Sequence, residues 1–212
     1  VAMSKKRIII LGATGSIGIN SFDVVQNLGS SYKIVGAACH SNVQELLRLG
    51  TLHNIPNLAV SGKHIDDKQI RFSGQDAVKQ LIQETEADIV INGISGSAGL
   101  MPSVWSLERA FDLALANKET IVMAGQLVRS LARRTGAHIL PVDSEHSALF
   151  QLLRRENRPE IEKVVITASG GPFRNTPIED FAGITLEDAL KHPTWNMGTK
   201  ITIDSATMGN KG

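Results

Sequence analysis

Short runs of consecutive apolar residues alternate with stretches of helical periodicity over the first 140 residues of the chain. The run Ile8–Leu11 contains no polar position, which is typical of a strand buried on both faces of a parallel sheet. Similar runs predict further strands over residues 32–38, 57–60, 88–92, 119–123 and 138–142. Apolar spacing and capping residues between these runs predict helices over residues 17–28, 42–49, 75–85 and 125–134.

Strands that alternate with helices in this way form βαβ units. The sequence therefore predicts an α/β fold with a Rossmann-like, doubly wound parallel sheet. The pattern changes near residue 142, after which two segments are rich in Gly, Ser, Asn and Pro and a short helix is expected over 185–190. We therefore expect one domain over residues 1–145 and a second over 146–212, with a flexible loop over about 170–198.

A glycine-rich turn follows the first predicted strand directly. Its sequence is Gly12-Ala13-Thr14-Gly15-Ser16-Ile17-Gly18, and a predicted helix comes next. Small residues let the backbone approach a pyrophosphate, and the start of the helix offers free N–H groups to it. The spacing only approximates the usual G-x-G-x-x-G. The context favours dinucleotide binding over the alternative, a plain tight turn between a strand and a helix.

The end of the second predicted strand bears on which dinucleotide is bound. An acidic residue at this place binds the ribose 2′-hydroxyl of NAD. The segment Ala37–Asn42 contains no carboxylate that would repel a 2′-phosphate, which favours NADPH. His40, Ser41 and Asn42 could donate hydrogen bonds to that phosphate, although His40 could equally be an exposed histidine at a strand end.

Composition and charge argue against several other classes of protein. The chain has 22 Lys and Arg against 21 Asp and Glu, a net charge of +1, so nothing draws it to nucleic acid or to an anionic membrane. No apolar run reaches the roughly 18 residues that a membrane span needs. A lone cysteine, Cys39, excludes a disulfide within the chain and fits a reducing compartment.

Two carboxylates lie two residues apart after the last predicted strand. Asp143 and Glu145 occupy a predicted strand-to-helix turn, from which both can bind a hard divalent cation. The alternative is structural, with Asp143 capping a helix and Glu145 in its first turn. The neighbouring His146 is interpreted as a residue that orients the metal ligands or as a structural residue.

Five segments in a fixed order behind the glycine-rich turn resemble 1-deoxy-D-xylulose 5-phosphate reductoisomerases. The segments are Asn117-Lys118-Glu119, then 141–146, 168–174, 192–201 and 204–212. The last two are long and specific, and the resemblance covers essentially the whole chain from Arg7. It implies conversion of 1-deoxy-D-xylulose 5-phosphate to 2-C-methyl-D-erythritol 4-phosphate, with NADPH and Mn²⁺ or Mg²⁺, in non-mevalonate isoprenoid biosynthesis.

The resemblance also implies roles for individual residues. Lys118, Asp143, Glu145 and His192 would be catalytic, and Asp143 and Glu145 would ligate the metal. The residues implied to contact NADPH are Thr14, Gly15, Ser16, Ile17, Asn42, Asn117 and Glu119, and Gly198 would lie near the cofactor or near the loop that closes over the substrate. His40 and Ser41 are added to the candidate cofactor contacts because of their place after the second predicted strand. Those implied to hold the sugar phosphate are Lys118, Ser144, Glu145, Ser169, His192, Trp195, Ser205, Asn210 and Lys211.

The chain departs from the family pattern in two respects. His40 and Ser41 stand where some relatives have Gly and a basic residue. The preference for NADPH therefore depends on weaker hydrogen-bond donors to the 2′-phosphate. The family's chains are nearly twice as long, and a third metal carboxylate expected just past Gly212 is absent. We therefore expect an incomplete catalytic and connective domain over 146–212, and a chain that is inactive on its own.

Assembly, location and rival functions are further expectations from the sequence. The family resemblance implies a homodimer for a full-length protein, in the bacterial cytoplasm or, after removal of a transit peptide, in the plastid stroma. One rival function is that of a metal-free NAD(P)-dependent dehydrogenase acting on another polyol phosphate. The other is that of a dinucleotide-binding domain without catalysis. Neither rival explains the segments from Ser169 to Gly212.

Overall fold

A computed structural model describes residues 5–154, 160–168, 170–194, 198–207 and 209. The chain divides into two compact units, Val1–Arg155 and Glu156–Gly212. The first unit contains a seven-stranded sheet flanked by helices, and the second contains short helical elements. Each unit is described by itself.

The first unit is built on a parallel sheet with the strand order β4-β3-β2-β1-β5-β6-β7. Without the edge strand β4 this is the doubly wound order of dinucleotide-binding folds, so the predicted Rossmann-like α/β class is confirmed. The strands are β1 (Lys6–Leu11), β2 (Tyr32–Cys39), β3 (Asn57–Val60), β4 (Ile70–Ser73), β5 (Ile89–Asn92), β6 (Asp112–Leu115) and β7 (Ile139–Pro141).

The described part of the first unit contains six α-helices, and helices pack on both faces of the sheet. They are α1 (Ser16–Asn27), α2 (Val43–Leu52), α3 (Ala77–Glu84), α4 (Leu100–Glu108), α5 (Lys118–Thr135) and α6 (Ser144–Leu153). Alternate residues of β1 point to opposite faces. Ile10 packs in a cluster with Phe22 of α1 and Leu46 of α2, whereas Ile9 packs with Leu81 of α3. Burial on both faces explains why β1 has no polar position among its last four residues.

One predicted strand is wrong. Residues 119–123 lie inside α5, and the strand at this place in the sheet is β6, which ends before Asn117. The β-branched run Thr120–Val122 resembles a strand, but the Asn117 side chain accepts a hydrogen bond from the backbone N–H of Thr120 at 2.8 Å and so starts a helix. The strands β4 and β6 and the helix α4, which carries Pro102 in its first turn, are additions to the predicted elements.

The second unit contains a 3-10 helix over Ile178–Gly183, a short helix α7 (Leu186–Ala189) and α8 (Thr199–Ala206). The Thr185 side chain and the Asp188 side chain cap α7 reciprocally, which agrees with the helix predicted over 185–190. These elements lie partly within the predicted loop over about 170–198. Among all described helices of the chain, none combines the length and the hydrophobicity needed to cross a membrane.

Candidate functional site

The sequence candidates of the first unit converge on one edge of the sheet. Parallel strands bring their carboxyl ends together, and ligands of such folds bind at that edge. The glycine-rich turn follows β1, His40 follows β2, Asn117 to Glu119 follow β6, and Asp143 follows β7. The topology therefore places the predicted cofactor and metal residues along a single line of strand ends.

The glycine-rich turn requires glycine at Gly12 and Gly18 for steric reasons. Gly12 has a φ of +73°, and a Cβ atom there would lie 2.9 Å from the carbonyl group of Gly93. A Cβ atom on Gly18 would overlap the backbone of Gly12 and Ala13. Gly15 occupies the N-cap position of α1 and no side chain caps that end. The first N–H groups of α1 are thus left for a ligand, as a pyrophosphate requires.

A cavity of about 550 Å³ opens beside this turn. Three predicted cofactor residues line it, namely Thr14, Gly15 and His40, whereas Ser16, Ile17, Ser41 and Asn42 are not among its lining residues. Thirteen further residues complete the wall: Gly12, Ala38, Cys39, Ser61, Gln75, Val78, Gly93, Ile94, Ser95, Ala98, Met101, Pro102 and Trp105.

Sequence reasoning missed the contribution of the loops that follow β3, β4 and β5. Ser61 follows β3 directly, Gln75 comes shortly after β4, and Gly93 follows β5. The rule that ligands bind beyond the carboxyl ends of strands would have indicated Ser61 and Gly93, because the sequence predicts both strands. Trp105 and Gln75 could not be found in this way, since the sequence does not predict α4 and β4.

Asn42, which follows β2, begins the next helix. Asn42 is the N-cap of α2 and accepts a hydrogen bond from the N–H of Glu45 at 3.3 Å, while the preceding Ser41 is exposed. Cys39 is buried at the cavity wall, and burial raises the pKa of its thiol to about 11. Cys39 is therefore a neutral thiol near pH 7.

Both the oxygen and the nitrogen of the Asn117 side-chain amide are hydrogen-bonded within the protein. Its Oδ1 accepts hydrogen bonds from the N–H and the hydroxyl of Thr120, and its Nδ2 donates to the carbonyl oxygens of Ile94 at 2.7 Å and Gly96 at 2.8 Å. The side chain thus joins the loop after β5 to the start of α5. The next two residues of α5, Lys118 and Glu119, are half-buried at this joined position.

Lys118 and Asp143 form an ion pair between the start of α5 and the end of β7. Their Nζ and Oδ2 atoms are 2.7 Å apart, with only 16% and 13% of the two side chains exposed. Burial favours a raised pKa for the Asp143 carboxyl, but the hydrogen bond and the positive charge of Lys118 outweigh it and the pKa is lowered. Asp143 occupies the N-cap position of α6 and Glu145 lies in its first turn, as the structural alternative expects, although the Asp143 side chain makes no capping hydrogen bond.

The second carboxylate oxygen of Asp143 is buried without a hydrogen bond of acceptable geometry among the described residues. Nδ1 of His146 lies 3.2 Å from it, and Glu145 is also close enough to influence the pKa of Asp143. Carboxylate oxygens are the ligands that a hard divalent cation takes, so Asp143 and Glu145 fit a divalent metal as two of its ligands. The described residues contain no group of three or more His, Cys, Asp or Glu arranged to hold a metal.

Ser144, the first residue of α6, is exposed beside these carboxylates. In the second unit, Nδ1 of His192 accepts a hydrogen bond from the N–H of Thr194 at 3.1 Å. Gly198 is the N-cap of α8, and Ser205 is buried on that helix with the backbone of Gly171 packed against its carbonyl oxygen. The remaining predicted substrate residues, Ser169, Trp195, Asn210 and Lys211, lie outside the described residues.

Comparison with protein-family models gives two matches. Residues 8–125 match the family described as 1-deoxy-D-xylulose 5-phosphate reductoisomerase, and residues 139–212 match the C-terminal domain described for the same enzyme. A curated reductoisomerase of this name from Treponema denticola is 49% identical over 212 residues, with 99% of this chain and 55% of the relative covered. One from Treponema pallidum is 42% identical and covers 99% of this chain and 54% of the relative.

Solved structures give the same result. A DOX-P reductoisomerase in complex with NADPH, fosmidomycin and magnesium superimposes with a TM-score of 0.86 at 33% identity, over 97% of this chain and 55% of that protein. The reductoisomerase from Zymomonas mobilis in complex with NADPH gives a TM-score of 0.81 at 33% identity, over 98% of this chain and 56% of that protein. The chain thus spans about half the length of the proteins that it matches.

Proposed function

Because the chain belongs to the 1-deoxy-D-xylulose 5-phosphate reductoisomerase family, we propose that it contributes to the NADPH- and metal-dependent conversion of 1-deoxy-D-xylulose 5-phosphate to 2-C-methyl-D-erythritol 4-phosphate in isoprenoid biosynthesis. The observation that carries the proposal is the half-buried Lys118–Asp143 pair with its unsatisfied carboxylate oxygen. It lies at the same edge of the sheet as the cofactor cavity.

The proposed cofactor is NADPH, which supplies the hydride when bound. The segment from Thr14 to Ile17, which leads into α1, would bind the pyrophosphate through backbone N–H groups. His40 to Asn42 would face the adenosine end, and Asn117, Glu119 and Gly198 would contribute elsewhere. The tied side chain of Asn117 supports a role in fixing the cavity wall, since its amide is bonded to the loop after β5.

Asp143 and Glu145 would hold Mg²⁺ or Mn²⁺, which as a Lewis acid supplies polarisation of the substrate carbonyl and a lower pKa for the neighbouring hydroxyl. The lowered pKa of Asp143 keeps this carboxylate ionised at neutral pH, as a metal ligand must be. Lys118 fixes Oδ2 of Asp143, and Oδ1, which has Nδ1 of His146 3.2 Å away, would accept the cation.

The proposed substrate is a sugar phosphate held by hydroxyl, amide and cationic donors. Lys118, Ser144 and Glu145 would bind it in the first unit. In the second unit, His192 and Ser205 would bind it together with Ser169, Trp195, Asn210 and Lys211. Hydroxyls, an amide and an ammonium are the donor types that a phosphate requires.

A chimera tests the reaction, because the chain spans about half the length of its relatives. This chain would replace the matching 55% of the Treponema denticola reductoisomerase, and NADPH oxidation with 1-deoxy-D-xylulose 5-phosphate and Mn²⁺ would be followed by the loss of NADPH absorbance. We expect turnover that requires the metal and is lost in Asp143→Asn. Asp66→Asn, at an exposed carboxylate far along the chain from these residues, serves as the control and should retain turnover.

The same chimera, assayed for turnover and for NADPH binding, separates the rival functions. Turnover that survives a chelator and the Asp143→Asn substitution would indicate a metal-free polyol-phosphate dehydrogenase. NADPH binding that is unaffected by the sugar phosphate, with no turnover by a folded chimera, would indicate a dinucleotide-binding domain without catalysis. Either result would contradict the proposal.

The proposal extends to assembly and location. We place the complete enzyme in the bacterial cytoplasm, or in the plastid stroma after removal of a transit peptide, as a homodimer with no nucleic-acid or membrane partner. Light scattering of the chimera after gel filtration would give a dimeric mass if this is correct and a monomeric mass if it is not.

A further inference from the structure

The cofactor cavity contains a pair of polar side chains contributed by two different strands. Nδ1 of His40, after β2, lies 3.2 Å from Oγ of Ser61, after β3, and both residues line the cavity. We propose that Ser61, paired with His40, is a specificity-determining residue that selects a dinucleotide with a phosphate on its adenosine ribose. This inference rests on the proposed function, which supplies the dinucleotide.

The backbone holds the two residues firmly together. The N–H of Ser61 donates to the carbonyl oxygen of Cys39 at 3.0 Å, and the N–H of Gly62 donates to that of His40 at 2.8 Å. A Cβ atom on Gly62 would overlap the carbonyl oxygen of His40 and lie 3.2 Å from Cε1 of its ring. Only glycine at this position lets the loop after β3 lie so close to His40. The backbone therefore holds the two residues next to each other, so that their side chains can meet.

The charge of the cavity lining decides which residues could distinguish NADPH from NADH. No Asp, Glu, Lys or Arg is present among the described residues that line the cavity. A carboxylate that would favour a free ribose hydroxyl is absent from the described wall, and so is a lysine or arginine that would bind a phosphate by charge alone. Selection then depends on neutral hydroxyl donors and on the imidazole of His40.

The hydrogen-bond chemistry assigns complementary tasks to the two side chains. If His40 carries a proton on Nδ1, that N–H donates to Oγ of Ser61 and the Ser61 hydroxyl proton is free to point at a ligand. In the doubly protonated ring, the Nε2–H is a second donor. A phosphate monoester accepts from both, whereas the ribose hydroxyl of NADH offers much less negative charge to them.

Calorimetric titrations of the full chain with NADPH and with NADH test the inference. In Ser61→Ala we expect the Kd for NADPH to rise about 10- to 150-fold, as loss of one hydrogen bond to a charged group implies, with the Kd for NADH within about twofold of its starting value. His40→Ala should behave in the same way, and Ser61→Thr, which keeps the hydroxyl, should retain the preference. Ser61→Asp should invert it, because a carboxylate accepts from a ribose hydroxyl and repels a phosphate.

The chain offers a matched control in a second serine–histidine pair. Oγ of Ser73 lies 2.9 Å from Nδ1 of His64, and neither residue lines the cavity. Ser73→Ala should leave the ratio of the two Kd values unchanged. Equal weakening of NADPH and NADH in Ser61→Ala, or an unchanged ratio in Ser61→Ala and Ser61→Asp, would overturn the role of Ser61 while leaving the proposed function intact. A folded wild-type chain that binds neither dinucleotide would overturn the proposed function and this inference with it.

Discussion

Lys118 stabilises a carboxylate that would otherwise be costly to bury. The Asp143 side chain is 13% exposed, and one of its oxygens is paired with Lys118 at 2.7 Å. Removing one partner of such a pair leaves the other charge buried and uncompensated, which costs more than the pair itself contributes. The ion pair therefore matters to stability as well as to the proposed metal site.

Lys118→Met is expected to lower the free energy of unfolding by about 1–3 kcal/mol at pH 7. The pKa of Asp143 is lowered in the folded chain, so its contribution is present above the unfolded value near 4 and is lost as the pH falls through the lower folded value. The difference between wild type and variant should accordingly shrink below about pH 4. Urea unfolding at several pH values measures this, and a difference that stays constant with pH would contradict it.

An exposed pair provides the control for this substitution. Lys191 and Asp188 are 3.2 Å apart with 73% and 44% of their side chains exposed. Solvent screens such a pair, and surface ion pairs contribute little. Lys191→Met should therefore leave the unfolding free energy without a measurable change.

Cys39 should be unreactive in the folded chain. Burial raises the pKa of its thiol to about 11, and only the thiolate attacks alkylating reagents. At pH 8 we expect iodoacetamide to modify the native protein at least about 100-fold more slowly than the urea-unfolded protein. Mass spectrometry of timed samples measures both rates, and comparable rates would show that Cys39 is accessible and ionised.

At the scale of elements, the glycine-rich turn depends on the absence of a side chain at Gly12. The backbone there is left-handed, and a methyl group added to Gly12 would lie only 2.9 Å from the carbonyl group of Gly93, so both features exclude alanine. Gly29 has a similar φ of +71° but open space around it. The two positions separate backbone strain from steric overlap.

Gly29→Ala should lower the unfolding free energy by about 1 kcal/mol, the strain of a left-handed residue. Gly12→Ala should cost about 2–4 kcal/mol, because the strain and the overlap add, and it should abolish NADPH binding. Urea unfolding and calorimetry measure the two effects. Equal destabilisation by the two substitutions would show that the turn has room for a methyl group.

Sequence patterns correctly predict those elements whose type is determined by residues within or next to them. β1 is recognisable as an unbroken apolar run because both of its faces are buried, and α1 is recognisable from the glycine-rich turn that precedes it. The run over 119–123 reads as a strand because Thr120 to Val122 favour strands locally. The segment is helical because the Asn117 side chain is hydrogen-bonded to Thr120 and to the loop after β5. The hydrogen bonds to that loop join residues more than 20 positions apart, so no local pattern reveals them.

The candidate site likewise combines residues that the sequence indicates with contacts that only the folded chain creates. The sequence indicates Lys118, Asp143 and His40 individually, but the 2.7 Å ion pair and the His40–Ser61 pair depend on strand order. No local pattern of residues reveals which loops meet across a sheet. Ser61 carries no motif at all, and only its place after β3 beside β2 identifies it.

At the scale of the molecule, the cores lie in the first unit. All three buried apolar clusters of the described residues consist of residues before 140, on the two faces of the parallel sheet. Each includes residues of the sheet and of a helix packed on it, and the cofactor cavity lies wholly within this unit. The first unit thus contains what an independently folding domain needs.

A shortened chain of residues 1–155 should therefore fold and bind NADPH with a Kd within about threefold of that of the full chain, because the cavity and its supporting core are retained. Circular dichroism would report the helix content, and calorimetry would report the affinity. A disordered spectrum would show that the second unit is needed for folding. A folded spectrum with lost binding would show that residues after 155 complete the cofactor site.

The proposed carboxylate metal site, at the same sheet edge as the cofactor cavity, is tested most directly by Mn²⁺ binding. Electron paramagnetic resonance of free Mn²⁺ would be recorded while the full chain is titrated as wild type, Asp143→Asn and the control Asp66→Asn. We predict at least about tenfold weaker binding in Asp143→Asn and unchanged binding in Asp66→Asn, since a carboxylate ligand is removed only in the former. Equal binding by all three proteins would show that Asp143 is not a metal ligand and would contradict the account.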